Sequence, residues 1–150
     1  MTGIETHGRG TIVVGVDSSD PSKDALRWAA RQAQLTGSAL RVVMTWDIPT
    51  TAYWAPLPEG WDLEEATRKA LEDSVKETLG DPLPVPVTTV VAKGRPALVL
   101  LEQAKDADLL VVGSRGHGGF TGMLIGSVSE HCVTHSKCPV VVVHHPHHHD

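Results

Sequence analysis

The sequence predicts a single α/β domain built on an open, twisted, five-stranded parallel sheet with helices on both faces. Short runs of apolar and β-branched residues alternate with segments whose apolar residues recur at helical spacing, a pattern typical of βαβ units. Two runs, Thr11 to Val16 and Leu109 to Val112, have no polar alternation, as in strands buried on both faces of a parallel sheet. Right-handed crossovers between such strands favour the strand order 3-2-1-4-5.

Each predicted strand is a short run bounded by turn residues. The five strands are Thr11 to Val16, Ala39 to Trp46, Val85 to Ala92, Leu109 to Val112 and Pro139 to Val143. Pro86 falls early in the third strand, and because proline cannot donate to a sheet ladder, that strand is predicted to lie at an edge. The last strand is short and apolar and is predicted to form the opposite edge.

Four predicted helices separate the strands. They begin near Ser19, Asp62, Gly94 and Gly126 and end near Gly37, Leu79, Lys105 and Ser136. Ser18 and Ser19 precede Asp20-Pro21, which together suit a helix cap followed by proline in the first turn. The apolar run Ala97 to Leu101 predicts deep burial of the third helix. Asp47 to Gly60 contains three prolines and no helical period, which predicts a long loop.

Composition bounds the class of protein. At 150 residues and 41% hydrophobic, the chain suits one domain, 11–143, between an N-terminal tail, 1–10, and a His-rich tail, 144–150, that is excluded from fold reasoning. A net charge of −5 argues against nucleic acid as a partner. Neither a membrane-spanning run nor an apolar leader is present, so we expect a cytoplasmic protein. Cys132 and Cys138 are expected to be free thiols.

A glycine-rich segment follows the fourth strand and leads into the last helix. Gly113, Gly116 and Gly126-Ser127 fit the pattern G-x2-G-x9-G-[ST]. Glycines allow backbone N–H groups to face a ligand, and a helix start adds unpaired N–H groups and partial positive charge. The segment has neither the lysine of a Walker A loop nor a G-x-G-x-x-G fingerprint. Strand, loop and helix start therefore predict a phosphate-binding site of another kind.

The predicted strand order brings a second feature to the same place. The winding direction of the chain reverses between the first and fourth strands, and ligands of open α/β sheets bind in the crevice at such a point. Asp17 ends the first strand and Gly113 ends the fourth. We therefore expect these two residues to flank one site.

The glycine pattern resembles the nucleotide-binding motif of the universal stress proteins, specifically the ATP-binding subgroup. The resemblance extends from Thr11 to about Val143 and implies a Rossmann-like fold of the adenine nucleotide alpha hydrolase kind. It also implies a homodimer in which the strand Pro139 to Val143 pairs antiparallel with its copy. Such an apolar edge strand would otherwise invite pairing with other chains. Mg²⁺ is expected with ATP, because phosphates and waters commonly hold it with few protein carboxylates.

Twelve residues are predicted to line the nucleotide site. They are Gly15, Val16, Asp17, Ser18, Trp46, Gly113, Arg115, Gly116, Gly126, Ser127, Val128 and Ser129. By resemblance, Asp17 lies near the adenine or ribose, and the end of the second strand, around Thr45 and Trp46, forms the adenine wall. The residues from Gly126 to Ser129 would hold the β- and γ-phosphates through backbone N–H and hydroxyl groups. Arg115 and His117 would neutralise further charge.

Simpler interpretations remain open for several of these residues. The glycine segment could be an ordinary surface turn, Asp17 a helix cap, and Trp46 a core residue. His131 and His135 are four residues apart on the last helix with both cysteines nearby, which suggests zinc. The favoured alternative is that histidine near a helix C-terminus suits the helix dipole and that cysteine is commonly buried.

Two function classes follow from an ATP site. The favoured class is a nucleotide-dependent regulator of the stress response that changes shape or partners and hydrolyses ATP slowly or not at all. The alternative is an ATP-consuming hydrolase or nucleotidyl transferase on the same frame. Phosphoryl transfer needs a positioned base and an aimed cation, and the loop offers only Arg115 and His117. A third class, which binds no nucleotide and acts through dimer contacts, is disfavoured by the intact glycine set.

Overall fold

The computed structural model describes residues 10–48, 54–55, 60, 62–115 and 126–144. These residues form five strands and four helices. In chain order they are β1 (Thr11–Gly15), α1 (Asp20–Thr36), β2 (Ala39–Trp46), α2 (Leu63–Leu79), β3 (Val87–Lys93), α3 (Pro96–Gln103), β4 (Leu109–Gly113), α4 (Ser127–His135) and β5 (Val140–Val143). The strands pair in parallel in the order β3-β2-β1-β4-β5, which confirms the predicted topology.

The two long helices begin and end where the sequence supplies the required chemistry. Ser19 caps α1 by accepting a hydrogen bond from the N–H of Ser22 at 3.3 Å, and Asp62 caps α2 in the same way through the N–H of Glu65 at 3.2 Å. Gly37 ends α1 in the left-handed region, at φ 69°, which glycine adopts without a Cβ penalty. None of the helices in the described ranges has both the length and the apolarity needed to cross a bilayer.

The core consists of two apolar layers, one on each side of the sheet. Successive side chains of a strand point to opposite faces, so Ile12 and Val14 of β1 pack under α1 and α2, whereas Val13 packs under α3 and α4. All three are 2% exposed or less. A central strand buried on both faces has no polar side to present, which accounts for the continuous apolar run in the sequence.

The predicted deep burial of α3 was wrong. Among its residues only Leu100 is buried, and Leu98 is 54% exposed. The helix covers one face of the sheet and contacts β1, β2 and α4, so a single stripe of its surface meets the core. Consecutive residues of a helix point in different directions around its axis, so a contiguous apolar run cannot all face the one stripe that is buried.

Both predicted edge strands lie at the edges of the sheet. β3 begins at Val87, two residues later than predicted, and the carbonyl of Pro86 still accepts a hydrogen bond from the N–H of Leu40 at 2.9 Å. Proline has a carbonyl but no N–H, so it can close the start of this ladder only as an acceptor. At the other edge, β5 pairs with β4, and its four valines are all half-buried.

Candidate functional site

The carboxyl ends of β1 and β4 lie side by side at the centre of the sheet. Val14 pairs with Val111 in the parallel register, and two residues further along each strand are Val16 and Gly113. Val16 is 6% exposed, and its N–H donates to the carbonyl of Val43 at 2.9 Å, which ties the end of β1 to β2. The loops that follow β1 and β4 thus leave the sheet from adjacent points, at the reversal of winding direction where ligands of open α/β sheets bind.

Gly113 lies against the first turn of α1. A Cβ at this position would be 2.9 Å from both the backbone C and O of Pro21, closer than real Cβ atoms approach. Glycine was predicted here to let the loop approach a ligand. In the folded chain the space beside it is filled by the start of α1, so this residue is required by packing between β4 and α1.

The side chain of Asp17 is exposed and is held by the helix cap. Its Oδ1 accepts hydrogen bonds from the N–H of Ser19, at 3.0 Å, and from the Ser19 hydroxyl. The N–H of Asp17 donates to Oγ of Ser22 at 3.2 Å. Asp17 is therefore not itself the cap, because Ser19 has that role. The carboxylate is fixed at the carboxyl edge of the sheet by the same serines that begin α1.

Ser18 has an unusual backbone conformation. Its φ is +70°, and no other non-glycine residue of the described ranges has a positive φ. A non-glycine residue in this region costs free energy, and such residues cluster at functional sites. The Ser18 hydroxyl lies 3.5 Å from the hydroxyl of Ser74 on α2. The turn that carries Asp17 therefore connects β1 to α1 and contacts α2.

Gly15 allows α3 to approach the central strand. A Cβ there would lie 2.7 Å from one methyl carbon of Leu100 and 2.9 Å from the other. Leu100 is the buried residue of α3, so the missing side chain of Gly15 is what seats this helix on β1. The sequence predicts that the main chain of Gly15 faces the nucleotide. The contact with Leu100 concerns the side-chain position and does not test that prediction.

The start of α4 is tied to the ends of β4 and β5 through Ser114. The N–H of Ser114 donates to the carbonyl of Val143 at 2.8 Å, and its carbonyl accepts from the N–H of Gly126. The hydroxyl of Ser129, which is 2% exposed, donates to the carbonyl of Gly113. These bonds bring the residues on both sides of the glycine loop together and fix the position of the first turn of α4.

The first turn of α4 presents N–H groups that no side chain caps within the described residues. Its N-cap is Gly126, which has no side chain, whereas Ser19 and Asp62 cap α1 and α2 with their own oxygens. The N–H groups of Ser127, Val128 and Ser129 precede the first intrahelical bond, from Glu130 to Gly126 at 3.0 Å. Together with the helix dipole they favour an anion at this end.

Two predicted ligand groups are used differently from the expectation. The N–H of Gly126 already donates to Ser114, and the Ser129 hydroxyl already donates to Gly113. Ser127 is exposed and its hydroxyl makes no hydrogen bond within the described ranges. The anion-binding capacity therefore resides in three backbone N–H groups and the Ser127 hydroxyl.

Trp46 ends β2 with a buried polar atom. Its Nε1 is buried and has no hydrogen-bond acceptor among the described residues. Lys93, which pairs with Trp46 in the sheet, places its Nζ 5.7 Å from the centre of the indole ring, within cation–π range. Trp46 is half-buried. This degree of burial is compatible with either sequence interpretation, a core residue or the wall of a ligand site. A buried donor without an acceptor is costly, so this atom fits an added acceptor.

Part of the predicted site lies outside the described residues. Gly116 and His117 belong to the segment 116–125, which the structure does not describe. Arg115 is half-buried and directly follows Ser114, so its chain position is adjacent to the start of α4. Arg115 thus remains a candidate cation, whereas the predictions for Gly116 and His117 are untested.

The described ranges contain no ready-made metal cage. They hold no group of three or more His, Cys, Asp or Glu side chains arranged to bind one ion. Cys132 is completely buried, and burial raises the pKa of its thiol to about 11, so it is not a thiolate at neutral pH. An Mg²⁺ ion at the carboxyl edge would therefore need ligands from a bound phosphate chain and from water.

The chain as a whole was compared with known proteins. Residues 8–144 match the model of the universal stress protein family. The chain belongs to this family. Similar curated relatives are a universal stress protein of Mycobacterium tuberculosis strain H37Rv, 38% identical over 141 residues, and one of Mycolicibacterium smegmatis, 38% identical over 143 residues. In each comparison 89% of this chain aligns with 47% of the relative, so this universal stress protein spans about half the length of these relatives.

Solved structures of the family share the fold. UspA from Lactobacillus plantarum is 23% identical with a TM-score of 0.72, covering 89% of this chain and 97% of that one. A universal stress protein in complex with cAMP is 29% identical with a TM-score of 0.63, covering 91% and 97%. One from Archaeoglobus fulgidus in complex with dAMP is 22% identical with a TM-score of 0.64, covering 89% and 97%. The agreement over most of each chain confirms the α/β architecture of this universal stress protein.

Sequence reasoning missed several residues that shape the site. Ser114 links β5 to α4, Pro21 fills the space beside Gly113, and Lys93 lies over Trp46. Ser114 lies inside the glycine pattern at a variable position, where no spacing rule marks it. Lys93 could have been found by pairing the ends of β2 and β3, because Trp46 and Lys93 are in register. The sequence did mark Pro21, but only as part of the start of the first helix and not as a contact of Gly113.

Proposed function

We propose that this universal stress protein binds an adenine nucleotide, ATP with Mg²⁺ foremost, at the carboxyl edge between β1 and β4, and acts as a nucleotide-dependent regulator. The observation that carries the proposal is the uncapped first turn of α4, with three backbone N–H groups beside the glycine segment. A triphosphate supplies the acceptors and the negative charge that this turn lacks. Gly126 as N-cap leaves room that a capping side chain would occupy.

The adenosine end would lie toward β1 and β2. Asp17 is exposed at the end of β1, and Ser19 holds its carboxylate in one orientation at the edge of the sheet where a ribose hydroxyl would lie. The indole Nε1 of Trp46, a buried donor without an acceptor in the described part of the chain, fits a ring nitrogen of a base. These groups recognise a nucleoside, whereas α4 recognises phosphate, so the two ends of the site together favour a nucleotide.

Mg²⁺ would be held by the nucleotide. When bound, it neutralises phosphate charge and orients the phosphate chain. Asp17, which lies at this edge, already accepts two hydrogen bonds from Ser19. Ser127 offers a hydroxyl at the mouth of the site. The residues thus suit an ion carried by phosphates and waters.

The regulator is favoured over an enzyme because the described site binds phosphate without groups for chemistry. Phosphoryl transfer needs a base aligned with the attacking group and a cation on the leaving group. The described residues around α4 offer N–H groups, hydroxyls and Arg115. Binding without turnover makes occupancy follow nucleotide concentration, as a regulator requires. A universal stress protein of 29% identity is in complex with cAMP, which supports nucleotide binding by this chain. Which nucleotide this chain prefers is a matter for binding measurements.

A charge placed at residue 127 tests the proposal without endangering the fold. Ser127→Asp puts a carboxylate at the first position of α4, where it favours the helix dipole but repels phosphate. Calorimetry with Mg-ATP should show affinity lower by roughly 10- to 100-fold, about 1.4–2.8 kcal/mol. Ser127→Asn, the neutral isostere, should lose less than a few-fold. Equal affinities for both variants and the parent would overturn a phosphate site at α4.

We also propose a homodimer through β5. The carbonyl of Pro139 accepts from Leu110 of β4, and the carbonyl of Val143 accepts from Ser114, which follows β4. Because successive residues of a strand face opposite sides, the N–H and carbonyl of Val142 point toward the outer edge. That edge has no strand beside it within the described ranges, and a bare apolar edge favours pairing with a second copy. Val140, like Val142, would contribute its backbone to the two-fold ladder.

Light scattering tests the dimer. The parent protein should have the mass of a dimer at micromolar concentration. Val142→Pro removes an outward N–H and should shift the protein toward monomer, with the pairing to β4 kept. Val142→Thr, which keeps the N–H and the β-branched shape, is the matched control and should remain dimeric. A monomeric parent, or a dimer unchanged by proline, would contradict this interface.

A further inference from the structure

Two histidines on α4 lie together outside the candidate nucleotide site. His131 and His135 are four residues apart, and their ring centres are 4.5 Å apart with the ring planes at 43°. Both residues are exposed. Residues four apart share one face of a helix, so the two imidazoles form a pair that solvent can reach. The pair begins one helical turn after Ser127, about 6 Å along the axis from the start of the helix.

This arrangement suits a divalent transition-metal ion. Neutral imidazole nitrogen is a preferred ligand of Zn²⁺, Ni²⁺ and Cu²⁺, and two histidines four residues apart on a helix are the spacing by which helical zinc sites hold their ion. A zinc–nitrogen bond of about 2.0–2.1 Å in tetrahedral geometry needs the two nitrogens roughly 3.3 Å apart. The ring centres are 4.5 Å apart, so the two side chains would have to rotate to bring one nitrogen of each ring to this separation.

The nearby thiols are not part of the pair. Cys132 is 0% exposed and belongs to the apolar layer under α3 and α4, so it faces the core and not the histidine face. Cys138 packs against the same layer and lies beside the Ser136 hydroxyl. Sequence spacing suggested a metal site made of both cysteines and both histidines. Of these, the structure leaves only the two imidazoles as candidate ligands. The remaining coordination positions would belong to water, because no third His, Cys, Asp or Glu joins them in the described ranges.

The helix dipole alone does not account for the pair. It favours a histidine in the last turn, where His135 stands. His131 lies in the middle of a nine-residue helix, where that field is weak. A bound ion uses both rings at once.

We propose that His131 and His135 form a two-imidazole site for a divalent transition-metal ion of the zinc class on the outer face of α4. The site is open and would hold the ion with water as further ligands. It is separate from any Mg²⁺ carried by a nucleotide, because Mg²⁺ prefers oxygen ligands and the pair offers nitrogen. The proposal does not depend on nucleotide binding, since neither imidazole belongs to the first turn of α4.

Zinc-dependent thermal stability of the full chain tests the site. The His-rich tail can also bind zinc, so the parent for the test carries Asn in place of the tail histidines, His144, His145, His147, His148 and His149. An ion that binds the folded helix pair better than the unfolded chain raises Tm. With Zn²⁺ alone at ten times its Kd, Tm should rise by roughly 3–6 °C.

Single variants locate the ion. His131→Asn and His135→Asn should each abolish the zinc-dependent rise while leaving Tm without zinc nearly unchanged, because both side chains are exposed. Val133→Asn, at another exposed position of the same helix, is the matched control and should keep the rise. A tail-free parent that shows no rise, or a rise that survives loss of either histidine, would overturn the site. A rise lost only in Cys138→Ser would move the ion to the thiol and also overturn it.

Discussion

Gly113 at the end of β4 packs directly on the backbone of Pro21 in the first turn of α1, with 2.9 Å between an added Cβ and the Pro21 carbonyl carbon and oxygen. This contact joins the two loops that flank the candidate nucleotide site. One carries Asp17, four residues before Pro21, and the other leads to Gly126. A glycine of the motif therefore contributes to the site by setting the distance between its two walls.

Gly113→Ala should destabilise the protein. The added methyl group meets backbone atoms that cannot rotate away, so we expect a loss of about 1–3 kcal/mol in the free energy of unfolding, measured by urea denaturation. Pro21→Ala should not rescue the variant, because alanine keeps the backbone C, O and Cβ that are in contact. Full rescue in the double variant would show that the proline ring, and not the backbone, sets this approach.

Trp46→Phe tests the buried indole donor. If a bound base accepts from Nε1, loss of that hydrogen bond should weaken ATP binding by roughly 2- to 12-fold, the equivalent of about 0.5–1.5 kcal/mol. Stability without nucleotide should change little or rise, because an unpaired buried donor is removed. Lys93→Met removes the cation over the ring but keeps Nε1, so it should affect binding less. Unchanged affinity in Trp46→Phe would return Trp46 to a packing role.

ATP turnover separates a regulator from an enzyme. We expect purified protein with Mg-ATP to hydrolyse it far more slowly than the 1–10³ s⁻¹ of ordinary enzymes, because no described group is aligned as a base. Asp17→Asn, which keeps the shape of the side chain, should weaken ATP binding and leave the slow turnover at saturating ATP unchanged. A parent rate in the ordinary range would favour the hydrolase or transferase alternative.

Cys132 should make stability fall in alkaline solution. Burial raises the pKa of its thiol from 9.0 to about 11, so above pH 9 the unfolded chain loses this proton more readily than the folded one. Between pH 9 and 11 the free energy of unfolding should decrease by roughly 2 kcal/mol through this group. Cys132→Ala should start less stable, since it loses core contacts, and should show a shallower decline. If urea denaturation shows the same decrease with pH in the parent and in Cys132→Ala, the Cys132 thiol is not its cause.

Sequence pattern predicted the strands, the helices and the topology because these depend on local rules. Continuous apolar runs marked β1 and β4, the segment from Ser18 to Pro21 and the neighbourhood of Asp62 marked two helix starts, and Pro86 marked an edge. The failure at α3 has a physical cause. Apolar content measures how much surface a helix could bury, whereas its packing partners decide how much it does bury, and they leave Leu98 54% exposed.

The sequence by itself determined that this chain folds as a five-stranded parallel α/β sheet and that its glycine segment joins a central strand to a helix start, because chain order and residue spacing carry that information. The tertiary structure alone decided which groups are engaged. Ser129 donates to Gly113, Gly126 donates to Ser114, and Cys132 faces the core instead of the histidine pair. Hydrogen-bond partners and burial depend on residues distant in the chain, which spacing cannot reveal.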